Sequence, residues 1–365
     1  MSKRSIALGI VAATTMAAVP STGWSATPHP KLVRVAQSRS MIWNAVAVDG
    51  KRIFLAGPRW AGGSGPQLAL LGPDRTPHAY PDTAWNAWKP GRDPASGFVN
   101  INAIRLDGRG GLWVVDTGSP EFGGDPLPGG AKLVRIALST GRVDRVLPLG
   151  ADLAVKGSYV DDVRFSGNHA YLTDAGHPGL IVLDLSTGRG RRVLDGHPAT
   201  VARDRRPIVL SGEIVRAPDG SPLKVHSDPL EVSPDGAWLM FGPLEGPWSR
   251  VPTALLNDPA VAPTALAAAV QPWVDLPPVG GTVMGADGSL YFAELATDSV
   301  KRRWPDGNTE ILVSDPALHW VDAPFLTDDG RLFLPVAQMD RVALFHGGKS
   351  RTVWPITLYE LEIPK

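Results

Sequence analysis

The chain has 365 residues, of which 43% are hydrophobic and 20% charged, so it can bury a large core. Lysine and arginine total 36, as do aspartate and glutamate, so no overall field attracts nucleic acid. The sequence contains no cysteine, which excludes disulfides and thiolate chemistry. We therefore expect no nucleic-acid partner, and no segment indicates insertion into a membrane.

The first 26 residues have the plan of a secretory signal peptide. Lys3 and Arg4 precede an uncharged apolar stretch from Ile6 to Val19, and small residues follow through Ala26. The apolar stretch is too short to span a bilayer as a helix. We predict that residues 1–26 are removed, that residues 27–365 form the mature fold, and that the protein is secreted or periplasmic.

One hairpin pattern occurs six times along the rest of the chain. Each copy has an apolar run, a turn rich in Asp and Gly, and a second apolar run. The copies begin at residues 44, 102, 161, 228, 280 and 322. At this shared first position, which we call the entrance position, stand Asn44, Asn102, Asp161, Asp228, Gly280 and Asp322. Five of the six repeats thus place an Asn or Asp there.

The spacing of the copies, roughly 40 to 70 residues, is typical of propeller blades built from four antiparallel strands. We predict an all-β, six-bladed β-propeller with four-stranded blades. Residues 31–37 and the C-terminal run ITLYELEIP are expected to pair and close the ring. Residues 198–226 break the rhythm and predict an inserted hairpin, and 251–270 have helical composition. A β-sandwich with insertions is the structural alternative.

In a propeller, equivalent residues of the inner strands surround the mouth of the central channel. Converging carboxylates repel one another unless a cation, protons or water compensate them. Oxygen ligands suit calcium or magnesium better than zinc, so we predict a divalent cation, with calcium as the first choice. Its candidate ligands are Asn102, Asp161, Asp228 and Asp322. Asn and Asp also cap turns at strand starts, so a purely structural role for them stays open.

A small molecule bound at the mouth would also contact side chains beside these acids. The predicted ligand-binding residues are Asn44, Trp43, Trp60, Tyr159, His226 and Trp320. Most of the twelve tryptophans are expected to pack between blades instead. The run His226-Ser227-Asp228 contains the residue types of a catalytic triad, but neighbours on a strand point to opposite faces and cannot form a relay.

Six segments together resemble the major royal jelly protein/yellow family, in its bacterial branch. They are FLAGPRW at 54–60, FVNINAIRLDGRGGLWVVDTG at 98–118, DDVRFSGNHAYLTDAGHPGLIVLDL at 161–185, SDPLEVSPDGAWLMFGPLEG at 227–246, DGSLYFAELATDSVKRRW at 287–304 and HWVDAPFLTDDGRLFL at 319–334. The resemblance implies a secreted six-bladed propeller. It also implies a distant relation to gluconolactonase-type enzymes, whose axial calcium is held by Asn, Asp and Glu side chains of inner strands.

Two functions follow from these observations and from the resemblance. The first is binding of a small polar or aromatic molecule without turnover, because insect members of the resembled family bind biogenic amines or are linked to dopachrome conversion. The second is metal-dependent hydrolysis of a lactone or ester, in which Asp161 or Asp228 activates water. Asn44 stands at the first-blade position where the gluconolactonase pattern has glutamate.

Overall fold

The computed structural model describes residues 31–363 as a ring of six four-stranded antiparallel blades around a central axis. This confirms the predicted all-β, six-bladed propeller. The predicted signal peptide, residues 1–26, lies outside the described residues. Within residues 31–363, no helix has the length and apolar character needed to cross a membrane.

Blades 1 to 3 follow one another along the chain, and the strands of each blade are laid down in order from the axis outwards. Blade 1 contains Ala45–Asp49, Arg52–Ala56, Leu68–Leu71 and Pro77–Ala79. Blade 2 contains Ile101–Leu106, Gly111–Asp116, Lys132–Ala137 and Arg142–Pro148. Blade 3 contains Val160–Ser166, His169–Asp174, Gly179–Asp184 and Gly190–Val193.

Blades 4 and 5 repeat this plan, and blade 6 closes the ring. Blade 4 contains Ser227–Val232, Trp238–Pro243, Trp248–Pro252 and Gln271–Val274. Blade 5 contains Val279–Met284, Leu290–Glu294, Ser299–Arg303 and Thr309–Ser314. Blade 6 takes Phe325–Leu326, Arg331–Pro335 and Ile356–Glu362 from the C-terminal end and Leu32–Ser38 from the N-terminal end. The last two strands pair antiparallel, so strands from opposite ends of the chain meet in one blade.

The remaining elements are short and lie between or outside the blades. Residues 198–226 include a separate two-stranded sheet, Val209–Leu210 with Glu213–Ile214. The α-helices are Thr83–Asn86, Thr253–Asn257 and Pro263–Ala268. Single 3₁₀ turns are Arg59–Ala61, Pro94–Ser96, Leu295–Thr297, Pro316–Leu318, Met339–Arg341 and Ala343–His346. The helical composition of 251–270 therefore becomes two short helices, because Pro263 starts a new helix instead of continuing the first.

The hydrophobic core lies between the faces of neighbouring blades. The second strand of blade 2, Gly111–Asp116, is buried at every position because a blade packs against each of its faces. The outer strand of the same blade, Arg142–Pro148, instead alternates between exposed and more buried residues. Tight turns join the inner hairpins, and Gly50 and Gly167 adopt the left-handed φ values of 58° and 56° that these turns require.

A buried aspartate at the end of the second strand holds the loop that enters the inner strand of blades 2 and 3. Asp116 accepts the N–H groups of Val99 at 2.8 Å and Asn100 at 3.0 Å, and the Lys132 ammonium at 2.7 Å. Asp174 accepts the Tyr159 N–H at 2.9 Å and an Arg192 guanidinium N–H at 2.7 Å. Each aspartate therefore fixes the position of the loop that leads into the entrance residue of its blade.

Substituting Asp116 by alanine should lower the free energy of unfolding by about 3–5 kcal/mol, because the buried Lys132 ammonium loses its carboxylate partner and three backbone N–H groups lose their acceptor. Urea denaturation followed by circular dichroism measures this loss. The matched control is Asp49→Ala, which breaks the exposed pair with Arg52 and should cost less than about 1 kcal/mol. Equal losses in both variants would contradict the clamping role of Asp116.

Candidate functional site

All six entrance positions line one cavity at the mouth of the axial channel, which we call the axial cavity. The cavity volume is about 70 Å³. Three of the six residues are carboxylates and two are carboxamides. The ring expected from the repeat is therefore present as an arrangement of side chains, while any binding by it stays a prediction.

The backbone reason for this convergence is an irregularity at the start of the inner strands. In blades 2 to 5 the register with the second strand shifts at the entrance position, for example between Ile101 and Ala103 around Asn102, and between Ser227 and Leu230 around Asp228. A residue in such a bulge leaves the ladder and its side chain is redirected. The entrance residues can therefore face the axis.

Gly280 interrupts the ring for a steric reason. A Cβ atom at Gly280 would lie 2.1 Å from the carbonyl oxygen of Val321, and one at Gly281 would lie 2.3 Å from that of Asp322. The segment carrying Asp322 passes directly over the inner strand of blade 5, so only glycine fits beneath it. The gap in blade 5 and the position of Asp322 thus have one cause.

Hydrogen bonds order one side of the cavity. The Trp60 indole N–H donates to the Tyr159 hydroxyl at 2.7 Å, and that hydroxyl donates to Oδ1 of Asn102 at 2.9 Å. The Asn102 amide donates to a carboxylate oxygen of Asp161. Asn44 donates its amide to the Asn102 carbonyl at 2.8 Å. This chain of hydrogen bonds connects blades 1, 2 and 3 across the mouth.

The carboxyl groups on the acidic side of the cavity are harder to ionise than exposed carboxyl groups. Burial, and then the charge of Asp228, raise the pKa of Asp161 well above its ordinary value. Burial followed by the same charge raises the pKa of Asp322. Burial, reinforced by the charges of Asp162 and Glu245, raises the pKa of Asp228 to about 7, although a hydrogen bond with Asp161 opposes the shift. A positive charge in the cavity would stabilise the ionised forms of these carboxyls.

Beneath the cavity lies a second layer, and there the charges balance. Asp162 contacts Arg105 at 3.1 Å and Arg164 at 2.6 Å, and Arg164 contacts Glu231 at 2.7 Å. Burial acts to raise the pKa of Asp162, but the two guanidinium groups outweigh it and lower that pKa to about 2. The Thr282 hydroxyl donates to Glu231 at 2.7 Å. This layer separates the axial cavity from a groove at the other end of the inner strands.

This layer was not predicted from the sequence, although the repeat contains its signal. Arg105, Arg164 and Glu231 each stand three positions after an entrance residue, in blades 2, 3 and 4. A second column in the same alignment would have placed them together on the axis. Phe122 and Phe345 also line the cavity and were not predicted, because both lie on loops outside the repeated hairpin.

The structure brings most of the predicted site residues together and leaves two apart. Asn44, Trp60, Asn102, Tyr159, Asp161, Asp228, Trp320 and Asp322 all line the axial cavity. Trp43 does not, because it is fully buried in the core and its indole N–H donates to the Thr357 carbonyl at 3.3 Å. His226 does not either, because its Nδ1 accepts the Ala202 N–H at 3.0 Å and fixes the inserted segment.

The oxygen atoms of the cavity bear on whether a divalent cation fits there. Within residues 31–363, no three His, Asp or Glu side chains form a ready-made metal-binding group. Oxygen donors are nevertheless present, because Asn44 Oδ1 is buried and accepts no hydrogen bond from the described part of the chain. The cavity thus contains a buried acceptor oxygen without a described partner as well as the carboxyls of Asp161, Asp228 and Asp322.

Fold and cavity define a class, namely six-bladed propellers with an acidic axial cavity. Residues 99–315 match the major royal jelly protein family, and the chain belongs to that family. No curated protein sequence matches the chain. Among solved structures, a candidate gluconolactonase shares 12% identity and a TM-score of 0.54, covering 92% of each chain. A luciferin-regenerating enzyme shares 9% identity and a TM-score of 0.52, covering 92% of this chain and 95% of its own.

A further structure, virginiamycin B lyase from Staphylococcus aureus, shares 12% identity with a TM-score of 0.46 and covers 84% of this chain and 81% of its own. The two structures with TM-scores above 0.5 agree with the propeller fold and, at these identities, go no further. The family membership agrees with the resemblance carried by the six sequence segments.

The raised pKa of Asp228 predicts a pH-dependent stability. Because the folded protein holds this proton up to about pH 7, against an ordinary pKa of 3.8, the stability present below pH 3.8 is lost as the pH rises to 7. Asp228→Asn should therefore raise the melting temperature at pH 8 by about 2–5 °C and leave it nearly unchanged at pH 4.

Scanning calorimetry from pH 4 to pH 8 in chelator measures this difference. Asp328→Asn is the matched control, because Asp328 is exposed and accepts no hydrogen bond from described residues. A melting temperature of Asp228→Asn that runs parallel to the wild type at every pH would contradict the assignment.

Proposed function

We propose that this protein binds a small molecule in the axial cavity and that the acidic side of the cavity recognises positive charge. The observation that carries the proposal is the cluster of Asp161, Asp228 and Asp322, which faces one cavity without a described cationic partner. Because their pKa values are raised, these carboxyls hold protons that a bound cation or amine would displace. Binding would thereby stabilise the ionised carboxylates, whose charges the bound cation balances.

The aromatic side chains that line the cavity favour an aromatic ligand. Trp60, Phe122, Tyr159, Trp320 and Phe345 surround the acids. Such rings stack on a flat ligand and attract a cation through their faces. An aromatic amine combines both features, and amine binding is also what the resemblance to insect members of the family implies.

A divalent cation, with calcium as the first choice, is the second part of the proposal. Asp161, Asp228, Asp322 and the free Oδ1 of Asn44 would hold it. When bound, such an ion supplies positive charge that orients an oxygen of a polar ligand. We also propose that the protein acts in the periplasm or outside the cell, on the basis of the signal-peptide pattern in residues 1–26.

Isothermal titration calorimetry of chelator-treated protein tests the proposal with two probes, calcium chloride and tryptamine. We expect a Kd that is roughly micromolar for at least one probe. Asp161→Ala and Asp228→Ala should each weaken that binding about tenfold or more, because each removes a carboxylate from the cavity. Asp328→Ala, at an exposed site, should bind like the wild type. No heat from either probe would overturn the proposed function.

Hydrolysis of a lactone or ester is the alternative function, and one observation favours it. Asp228 has a pKa of about 7, which suits a group that accepts a proton from water at neutral pH. A hydrolase of this kind would show a rate that rises with pH through about 7, as Asp228 loses its proton. Asp228→Asn would abolish this rate, because an amide cannot accept the proton.

A pH-stat assay with a panel of γ- and δ-lactones, with and without calcium, decides between the two functions. Turnover that depends on Asp228 would establish the hydrolase. Binding of tryptamine or calcium without turnover of any lactone would favour the binding function.

A further inference from the structure

Three aromatic rings from three loops meet at the wall of the axial cavity. Trp60 lies in the turn Arg59–Ala61 after the second strand of blade 1, Phe122 in the long loop of blade 2, and Phe345 in the turn Ala343–His346 of blade 6. The ring centroids of Trp60 and Phe122 are 4.9 Å apart, and those of Phe122 and Phe345 are 6.0 Å apart. The Phe345 ring meets Trp60 edge-on at 6.2 Å.

The three rings differ in how firmly they are held. Trp60 is fixed by its 2.7 Å hydrogen bond to the Tyr159 hydroxyl, which itself donates to Asn102. A phenylalanine ring has no such polar group, so Phe122 and Phe345 are held only by packing. Contacts between aromatic rings are individually weak. The hydrogen bond therefore fixes the Trp60 ring, whereas the rings of Phe122 and Phe345 can move.

Each phenylalanine also borders an open groove on the side away from the cavity. Phe122 lines a groove with Arg203, Pro222 and Lys224, and Leu223 borders both this groove and the cavity. Phe345 lines a different groove with Ile214 and Arg351. Each ring thus has free volume on both of its sides, which a side chain in a close-packed core lacks.

The backbone beneath the two rings is anchored, so motion can be confined to the rings themselves. In the loop of blade 2, Asp125 accepts the Gly157 N–H at 2.9 Å just beyond Phe122. In blade 6, the His346 ring contacts the Asp340 carbonyl at 2.9 Å just after Phe345. Rotation about side-chain torsions is fast compared with rearrangement of a whole loop.

We propose that Phe122 and Phe345 are the two leaves of a gate that controls entry to the axial cavity. In the closed state they pack on Trp60 and cover the acids, and in the open state each turns into its own groove. The identity of the molecule that passes the gate rests on the proposed function, but the existence of the gate does not. We assign the described arrangement, in which the three rings contact one another, to the closed state.

The absence of cysteine from the chain allows a direct test of access. A single thiol is placed inside the cavity by Asp228→Cys, and its reaction with methyl methanethiosulfonate is followed by intact mass spectrometry at fixed pH. Adding Phe122→Ala should raise the labelling rate about tenfold, because Phe122 contacts three of the other rings. Adding Phe345→Ala should raise it about fivefold, because it contacts two.

Phe165→Ala in the same Asp228→Cys background is the matched control. Phe165 is also a half-buried phenylalanine beside a tryptophan, with its centroid 5.6 Å from that of Trp113, but it lies at the other end of the channel. It should leave the labelling rate unchanged. Melting temperatures of all variants verify folding, and Phe122→Leu, which keeps an apolar side chain but loses the ring, replaces Phe122→Ala if that variant unfolds.

Equal labelling rates in the Phe122, Phe345 and Phe165 variants would overturn the gate. The assay needs no natural ligand, so a failure of tryptamine and calcium to bind would refute the proposed function while leaving this result intact. Conversely, binding without any effect of Phe122 or Phe345 on labelling would support the proposed function and reject the gate.

Discussion

Crowding of like charges around the propeller axis is the constraint on which the site depends. The inner strands of six blades start at one narrow opening, and in blades 2 to 5 bulges direct the entrance residues toward it. Acids placed there cannot separate, because each is fixed by its own blade. Burial, and after it the charge of neighbouring acids, raises the pKa values of these carboxyls, so the proposed binding of a positive charge would stabilise their ionised forms.

The two layers of ionisable side chains on the axis differ in whether their charges are paired. The lower layer pairs Arg105 and Arg164 with Asp162 and Glu231, so its charges are satisfied and it joins blades 2, 3 and 4. The upper layer has acids without matching bases in the described structure. A protein that needed only stability would gain from balancing both layers, since buried unpaired charge is unfavourable. This imbalance is the feature on which the proposed ligand binding rests.

Much of this could be predicted from the sequence because a propeller repeats. One aligned column placed Asn44, Asn102, Asp161, Asp228 and Asp322 around a single opening. The repeat could not show that Trp43 faces the core or that His226 holds the inserted segment, since those contacts join distant parts of the chain. The rings of Phe122 and Phe345 lie on loops outside the repeat, where no periodicity exists to place them. Gly280 was visible as an exception, but its cause, the overlying Val321 carbonyl, is a tertiary contact.

The pairing of Leu32–Ser38 with Ile356–Glu362 has a consequence for biosynthesis. The strand Leu32–Ser38 leaves the ribosome before every other strand of the ring, and its partner Ile356–Glu362 leaves after every other. Until then its ladder groups face solvent and can join another chain. Five blades could assemble during synthesis, yet the ring can lock only once Glu362 has been made, so the circular architecture makes closure of the propeller a late, single event.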